Sequence, residues 1–396
     1  MAQATVPAMV PVAAEATQRF DGVDVLRGIS IVAVVLLHGY LRLFLEGHSA
    51  RGLLPLPLFR LLFLNGGNGV TVFFAVSGFL ITYTSLRRFG SLAAMRAKVF
   101  YRIRFARIAP LLLLVLAVLS GLHLAHASGF HVHTPGVTLP RALFSALTFH
   151  LNWLEARYGY LPANWDVMWS LSVEEMFYLF FPLVCVALLR ARRGMLYFVG
   201  LAVLLMVLAP IARTAWAPTE LYAEKSYLGG MGSIAMGCLA ALVVTRLQRR
   251  RTVPSDVRLL MLAWMGAILM FVAAPPFPIG RWHKYLDVRD LDDSLLTFGT
   301  CVVMAALVLR NRAGRRWTAP LRWFGRHSYE VYLTHEFVVV WITMLALHVG
   351  TTYGRGLHYG VLAWIALMLL LSAPLGWLVA KFFSEPLNRR LRLQQG

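Results

Sequence analysis

Apolar residues in this chain fall in long blocks, not in the alternating or one-faced patterns of a soluble domain. Ten blocks, at about 25–45, 67–86, 103–122, 168–189, 195–212, 227–245, 257–274, 293–309, 324–348 and 358–380, are each read as a bilayer-crossing helix. Such a crossing takes about 20 residues. The pattern predicts an all-α integral membrane fold with about ten transmembrane helices and no soluble domain. The main irregularity is 123–167. It follows a span running outward, and the next span must return inward. The modestly apolar stretch Leu139–Leu154 is therefore expected to form an outer interfacial or re-entrant helix that does not cross. Arg213–Ser226 and Pro275–Asp292 read as further outer loops. No internal repeat is visible, which counts against many secondary-transporter architectures.

Composition supports this reading. Of the 396 residues, 59% are hydrophobic and 14% charged, against roughly 45–50% and about 25% in a soluble domain. The formal charge of +20 would suggest nucleic acid in a soluble protein, but its distribution argues for topology. Assigned to the nearer membrane side, 27 of the 38 Lys and Arg fall inside and 11 outside, with inner clusters at Arg87/Arg88, Arg190/Arg192/Arg193, Arg246/Arg249/Arg250/Arg251 and Arg310/Arg312/Arg315/Arg316. Basic residues concentrate on the cytoplasmic side of membrane proteins. Both termini are therefore expected in the cytoplasm, in a multi-pass plasma (inner) membrane protein. Residues 1–19 are expected to be a disordered N-terminus, 20–390 one membrane domain, and 391–396 a short cytoplasmic tail. No cleavable signal peptide is expected, because residues 1–18 lack basic charge and the first apolar block is long enough to remain as a signal anchor. Cys185, Cys238 and Cys301 sit inside apolar spans and read as small core hydrophobes.

The polar residues inside the spans carry the candidate chemistry. Arg27 and His38 are eleven residues apart on the first span. They face nearly the same side, separated by about 16 Å along the axis. An ionisable group in lipid is a functional candidate by default, though a packing histidine is the plain alternative. On the second span Ser77 and Gly78 allow close helix approach. Arg102, Arg104 and Arg107 open the third span; Arg104 and Arg107 share a face, either as snorkelling anchors or as a phosphate clamp. Trp169–Tyr178 carries Glu174 and Glu175 into the fourth span. They point about 100° apart, so one can face a cavity while the other does not. A carboxylate beside His38 would orient its ring, whereas Ser170, Ser172 and first-turn acids could equally serve as a helix cap. On the ninth span His335 and Glu336 lie about as deep as His38, for a structural network or substrate contact. The outer His123, His126, His131 and His133 lack the Cys or acidic neighbours of a metal site, and no metal is expected. No Gly-rich phosphate loop or nucleophile elbow is present.

These segments resemble the acyltransferase 3 family of polytopic membrane O-acyltransferases. The matching blocks run in order: Phe20–Gly28 through to His38, Gly69–Thr82, Arg104/Arg107, Trp169–Tyr178 with Pro182, Phe324–Tyr329 through Tyr332 and Leu333 to His335, and Ser384-Glu385-Pro386. Thr71 stands where the family often has Asp. The resemblance implies about ten helices, an acyl-CoA (often acetyl-CoA) donor bound from the cytoplasmic side, no permanently bound cofactor, and acylation of a hydroxyl on a glycan, lipid-linked sugar or small molecule. It maps the family's basic residue and histidine onto Arg27 and His38, its paired arginines onto Arg104 and Arg107, and its glutamate motif onto Glu174 and Glu175. Ser77, Trp169, Ser172, Tyr178 and His335 are expected to contact substrate.

One mechanism joins the two readings. Arg27, Arg104 and Arg107 hold the phosphates of coenzyme A, and the thioester reaches His38. His38 is a general base, or alternatively an acyl carrier. Glu174 or Glu175 fixes its tautomer, and the acceptor enters from outside. The rival is a proton-coupled transporter or flippase for a glycan or amphiphilic small molecule, with the buried His and Glu as proton relays. A non-catalytic scaffold leaves the buried ionisable groups without a use.

Overall fold

The computed structural model describes residues 19–274, 286, 289–353 and 360–393. Residues 1–18, most of the expected loop Pro275–Asp292 and residues 394–396 of the expected tail lie outside the described residues. Among those described there is no strand beyond one isolated bridge between Arg51 and Leu54, and ten helices are long and apolar enough to cross a membrane.

The helices are α1 (Asp21–Leu45), α2 (Leu56–Phe63), α3 (Gly66–Phe89), α4 (Ala97–Leu124), α5 (Leu139–Leu147), α6 (Leu151–Tyr158), α7 (Asn164–Leu189) and α8 (Gly194–Thr214). They continue as α9 (Glu220–Glu224), α10 (Tyr227–Arg250), α11 (Asp256–Ala273), α12 (Leu291–Arg310), α13 (Ala319–Arg326), α14 (Ser328–Tyr353), α15 (Val361–Val379) and α16 (Glu385–Leu393). Each predicted span finds its helix. Asp21 and Asp24 in the first turn of α1 complement its dipole, and Gly90 closes α3 at φ 75°, in the left-handed region that suits glycine.

The core is built where small residues let backbones meet. The α3–α10 crossing has a glycine on each side: a Cβ on Gly78 would lie 1.9 Å from the Ile234 carbonyl oxygen, and one on Gly237 would lie 2.1 Å from that of Ala75. Helix α3 is accordingly the most enclosed span, while α8 and α11 are peripheral. Met261 and Trp264 of α11 are exposed, as lipid-facing residues would be. Packed side chains from α1, α3, α4, α7, α10 and α14, among them Val35, Phe74, Leu111, Trp165, Ile234 and Val331, form the main core cluster. Cys185, Cys238 and Cys301 are free and buried within the helices, as expected.

Three elements differ from the sequence reading. The stretch 139–154 is two short helices, α5 and α6, because the chain breaks at Thr148–His150 with Phe149 at φ 58°. At 9 and 8 residues neither crosses a bilayer. The ninth span starts at Ser328, not 324: His327 ends a separate amphipathic helix, α13, packed against the first turns of α1. The tenth span does not end in a plain tail. It passes through a π-helical turn, Ala380–Ser384, into α16, which packs on α4.

Candidate active site

His38 stands on α1 three turns beyond Arg27 and meets α14. Its Nδ1 lies 2.7 Å from His335 Nε2 and 3.1 Å from Glu336 Oε1. The two rings are 7° from parallel with centroids 5.0 Å apart, and so lie edge to edge along that contact. His335 is fully buried, and among the described residues its Nδ1 meets two carbonyl oxygens, those of Tyr332 at 2.8 Å and Val331 at 3.2 Å. That nitrogen therefore carries the proton, and in the neutral ring Nε2 accepts. His38 must then donate from Nδ1, which leaves the lone pair of its Nε2 free. On the far side, Arg42 of α1 reaches Glu336 Oε2 at 3.4 Å. His38 keeps 19% side-chain exposure, so the ring is reachable.

These three residues are also close enough to raise the question of a metal ion. Two imidazole nitrogens on one tetrahedral zinc, with bonds of about 2.0–2.1 Å, sit about 3.3 Å apart. The 2.7 Å separation here is that of a hydrogen bond.

A cavity of about 360 Å³ opens between α1, α3, α4, α7 and α14, on the side where α1 begins. Arg27, Arg104 and Arg107 all line it, joined by Arg19, Arg88, Arg326 and Arg392. Arg27 is positioned by α13 and α14. A Cβ on Gly28 would lie 1.9 Å from the Leu321 carbonyl oxygen, and one on Gly325 would lie 1.8 Å from that of Asp24. That contact brings Ser328 Oγ to 2.7 Å from Arg27 Nη2 and lets Arg326 bridge Asp21 and Asp24. Deeper in, Arg104 lies over the ring of Tyr178 at 4.8 Å, Tyr178 meets Ser77 at 2.5 Å, and its hydroxyl donates to Glu174 at 3.3 Å. The cavity ends at Ser170, Tyr332 and Leu333. Tyr332 is held there by Ser170 Oγ at 2.7 Å and the Val167 carbonyl at 3.0 Å, and its ring is 6.0 Å from that of His335.

The structure thus divides the sequence-predicted residues. Arg27, Arg104, Arg107, Ser77, Glu174 and Tyr178 meet in the cavity, and His38 and His335 meet beyond its inner end. The carboxylate within reach of His38 is Glu336, where the sequence suggested Glu174 or Glu175. Of that pair, Glu174 lines the cavity, while Glu175 is buried off it with Oε1 unpartnered. Ser172 returns its hydroxyl to the Met168 carbonyl of its own helix, and Trp169 meets Phe74 edge to face and carries the Lys225 ammonium over its ring; neither lines the cavity. Sequence reading missed Arg42, Ser328 and Arg392. The spacing of Arg42, one turn after His38, was a usable signal; the other two depend on the break at His327 and on α16.

At the opposite end of α7, the 123–167 segment is clamped to the bundle. Lys225 is fully buried and reaches Asp166 at 2.6 Å and Glu155 at 3.3 Å. Burial pushes Glu155 well above the usual carboxylate range, against the opposing pull of Lys225. Phe130 stacks on Phe337 of α14. Nearby, Thr71 donates to Asp293 at 3.0 Å, and Asp293 and Asp290 share Arg213 of α8.

Comparison with known proteins places the chain. The model of the acyltransferase 3 family, described as an acyltransferase domain, matches residues 20–381. The chain is 24% identical over 337 residues to the peptidoglycan O-acetyltransferase OatA of Listeria monocytogenes, covering 81% of this chain and 49% of that protein. It is 25% identical over 325 residues to YrhL of Bacillus subtilis, named for peptidoglycan O-acetyl transfer, covering 75% and 48%. A Staphylococcus aureus protein named as an O-acetyltransferase matches at 25% over 340 residues, covering 81% and 51%. The chain spans about half the length of these relatives. No solved structure matches it.

Proposed function

This chain belongs to the acyltransferase 3 family, and from that premise we propose that it is a membrane O-acyltransferase moving an acyl group, acetyl foremost, from acyl-CoA to a carbohydrate hydroxyl. One observation carries the proposal: an imidazole with a free Nε2, His38, stands just beyond the inner end of a cavity whose mouth gathers arginines. Such a shape suits a long donor with its charge at one end and its reactive carbon at the other. Arg27, Arg104 and Arg107 hold the phosphates at what we assign as the cytoplasmic side, in line with the concentration of Lys and Arg there. The pantetheine arm runs past Tyr178 and Ser170 toward Tyr332.

His38 Nε2 takes the proton of the acceptor hydroxyl as its oxygen attacks the thioester carbonyl. The tetrahedral intermediate collapses, the C–S bond breaks, and the imidazolium returns the proton to the departing thiolate. Glu336 offsets the positive charge of the imidazolium. His335 keeps the ring in the tautomer whose Nε2 is a base. The acceptor approaches from the opposite side, where the clamped 123–167 segment borders the site. The names of the relatives favour a cell-wall glycan as acceptor.

Purified protein in liposomes, given acetyl-CoA and a glycan acceptor, should release free thiol at a rate that depends on the acceptor. His38→Ala should abolish that release while keeping the wild-type melting profile. Thiol release unchanged in this variant would refute the role of His38. Glycan movement coupled to proton uptake, with no thiol release, would favour the transporter reading.

A further inference from the structure

We propose that the C-terminal helix α16 is part of the donor site, and that Arg392 binds donor phosphate together with Arg88 and Arg107. This rests on the proposed use of a phosphate-bearing thioester donor.

Sequence alone makes α16 a basic tail. Pro386 lies just after the π-helical turn, where it has no N–H to give to the preceding turn. The π-helical turn before it redirects the chain, and α16 comes to rest on α4, the helix of Arg104 and Arg107. The arginines of α16 then differ in surroundings. Arg389 pairs with Glu385 in an exposed i,i+4 contact, and Arg390 is exposed. Arg392 is partly buried and forms part of the cavity wall. Its Nε is buried and has no hydrogen-bond partner among the described residues, which is costly for a charged donor group.

The charge count at this wall points to what completes it. Arg326 is neutralised by Asp21 and Asp24, and Arg27 is hydrogen-bonded to Ser328. No ion pair to Arg88, Arg107 or Arg392 is present among the described residues, and Arg392 lies in the repulsive field of Arg88, Arg104 and Arg107. Like charges gathered at the mouth of a low-dielectric cavity repel unless an anion joins them. Guanidinium forks match phosphate oxygens in pairs. Three uncompensated guanidiniums, from α3, α4 and α16, fit a ligand with several phosphate charges, as at the nucleotide end of coenzyme A, better than the single phosphate of a lipid headgroup.

The test is titration of purified protein in lipid-free detergent with acetyl-CoA and with adenosine 3′,5′-bisphosphate, which carries phosphate but no thioester arm. Wild type should bind both. Arg392→Gln should bind both at least tenfold more weakly, Arg392→Lys should fall between, and Arg390→Gln on the exposed side of the same helix should match wild type. In steady state, Arg392→Gln should raise KM for acetyl-CoA with kcat within about twofold. If wild type binds and Arg392→Gln binds equally well, the inference fails and the donor reading stands. If wild type binds neither compound, the donor reading falls and the inference with it. The titration repeated in phosphatidylcholine and in phosphatidylglycerol nanodiscs should give one affinity. An Arg392-dependent competition by phosphatidylglycerol, with no nucleotide binding in its absence, would reassign the site to a lipid headgroup.

Discussion

His335 Nε2 lies 2.7 Å from His38 Nδ1, while the other nitrogen of the same buried ring is committed to backbone carbonyls of its own helix. The proton on His335 is thereby placed, and it places the proton on His38 in turn. A ring with no choice of tautomer sets the tautomer of its neighbour. Glu336 adds charge to this arrangement and Arg42 anchors Glu336 from behind.

The His335 relationship predicts a graded series. Glutamine sets an amide group near the Nε2 position and can accept from His38 Nδ1, so His335→Gln should retain measurable acyl transfer. His335→Phe fills the space without an acceptor, removes the closer of the two acceptors at His38 Nδ1 and leaves Glu336 to hold the tautomer. Its kcat should fall, by less than the about 10²–10⁴ ascribed to a positioned general base, because Glu336 still holds the ring. Thiol-release kinetics on both variants decide it. Equal activity in the two would mean that hydrogen bonding by His335 is irrelevant.

Arg104 should act on the donor and not on the chemistry. It lines the cavity and stacks on Tyr178, away from His38. A hydrogen bond to a charged group contributes about 1.5–3 kcal/mol, roughly 10- to 100-fold in binding. Arg104→Ala should raise KM for acyl-CoA by that factor with kcat nearly unchanged. Arg104→Lys should recover only part, because the ammonium cannot stack as a plane. A change confined to the acceptor KM would move Arg104 out of the donor site.

Asp290, just ahead of α12, makes stability depend on pH. Burial raises its carboxyl to about 7, more than Arg213 lowers it. The folded protein therefore keeps a proton that the unfolded chain loses near its ordinary value of 3.8. The contribution of Asp290 to stability is fully present below that value and is lost as pH rises through about 7. Asp290→Asn should flatten the melting temperature between pH 4 and 7 relative to wild type. An unaltered pH slope in the variant would show that other groups set it.

How much of this was legible in the sequence depends on which question is asked. The spans were, because a block of apolar residues crosses a bilayer whatever its partners. The depth of His38, His335 and Glu336 was also legible by counting along the helices. Azimuth was not: which carboxylate faced His38 depended on how α14 is rotated against α1, and on the break at His327 that sets where α14 begins. The sequence around Phe324–His335 carries no proline or glycine signal that marks this break apart from Gly325, whose role is contact with Asp24. The break at Phe149 was hidden in the same way, since a non-glycine residue at positive φ leaves no compositional trace. Arg392 was legible as charge and not as a site, because only the fold returns the end of the chain to α4.

The close contact of α1 with α13 beside Arg27 joins packing to function and yields the last prediction. Alanine in place of a helical glycine gains about 1 kcal/mol of helix propensity, so Gly28→Ala would stabilise α1 if the site were open. It is not: the new Cβ would lie 1.9 Å from a backbone oxygen of Leu321, which has no flexible end to give way. Overpacking typically costs about 1–3 kcal/mol, which exceeds the propensity gain across most of that range. Relief requires α13 to move away from α1 by more than an ångström, and that motion carries Ser328 out of reach of Arg27. Gly28→Ala should therefore lower the melting temperature and raise KM for acyl-CoA together. Gly200→Ala on the exposed side of α8, where nothing lies within 4 Å of the new methyl, should hold or raise the melting temperature and leave KM alone. If Gly28→Ala behaves like Gly200→Ala, the α1–α13 contact is looser than drawn and Arg27 is held by other means.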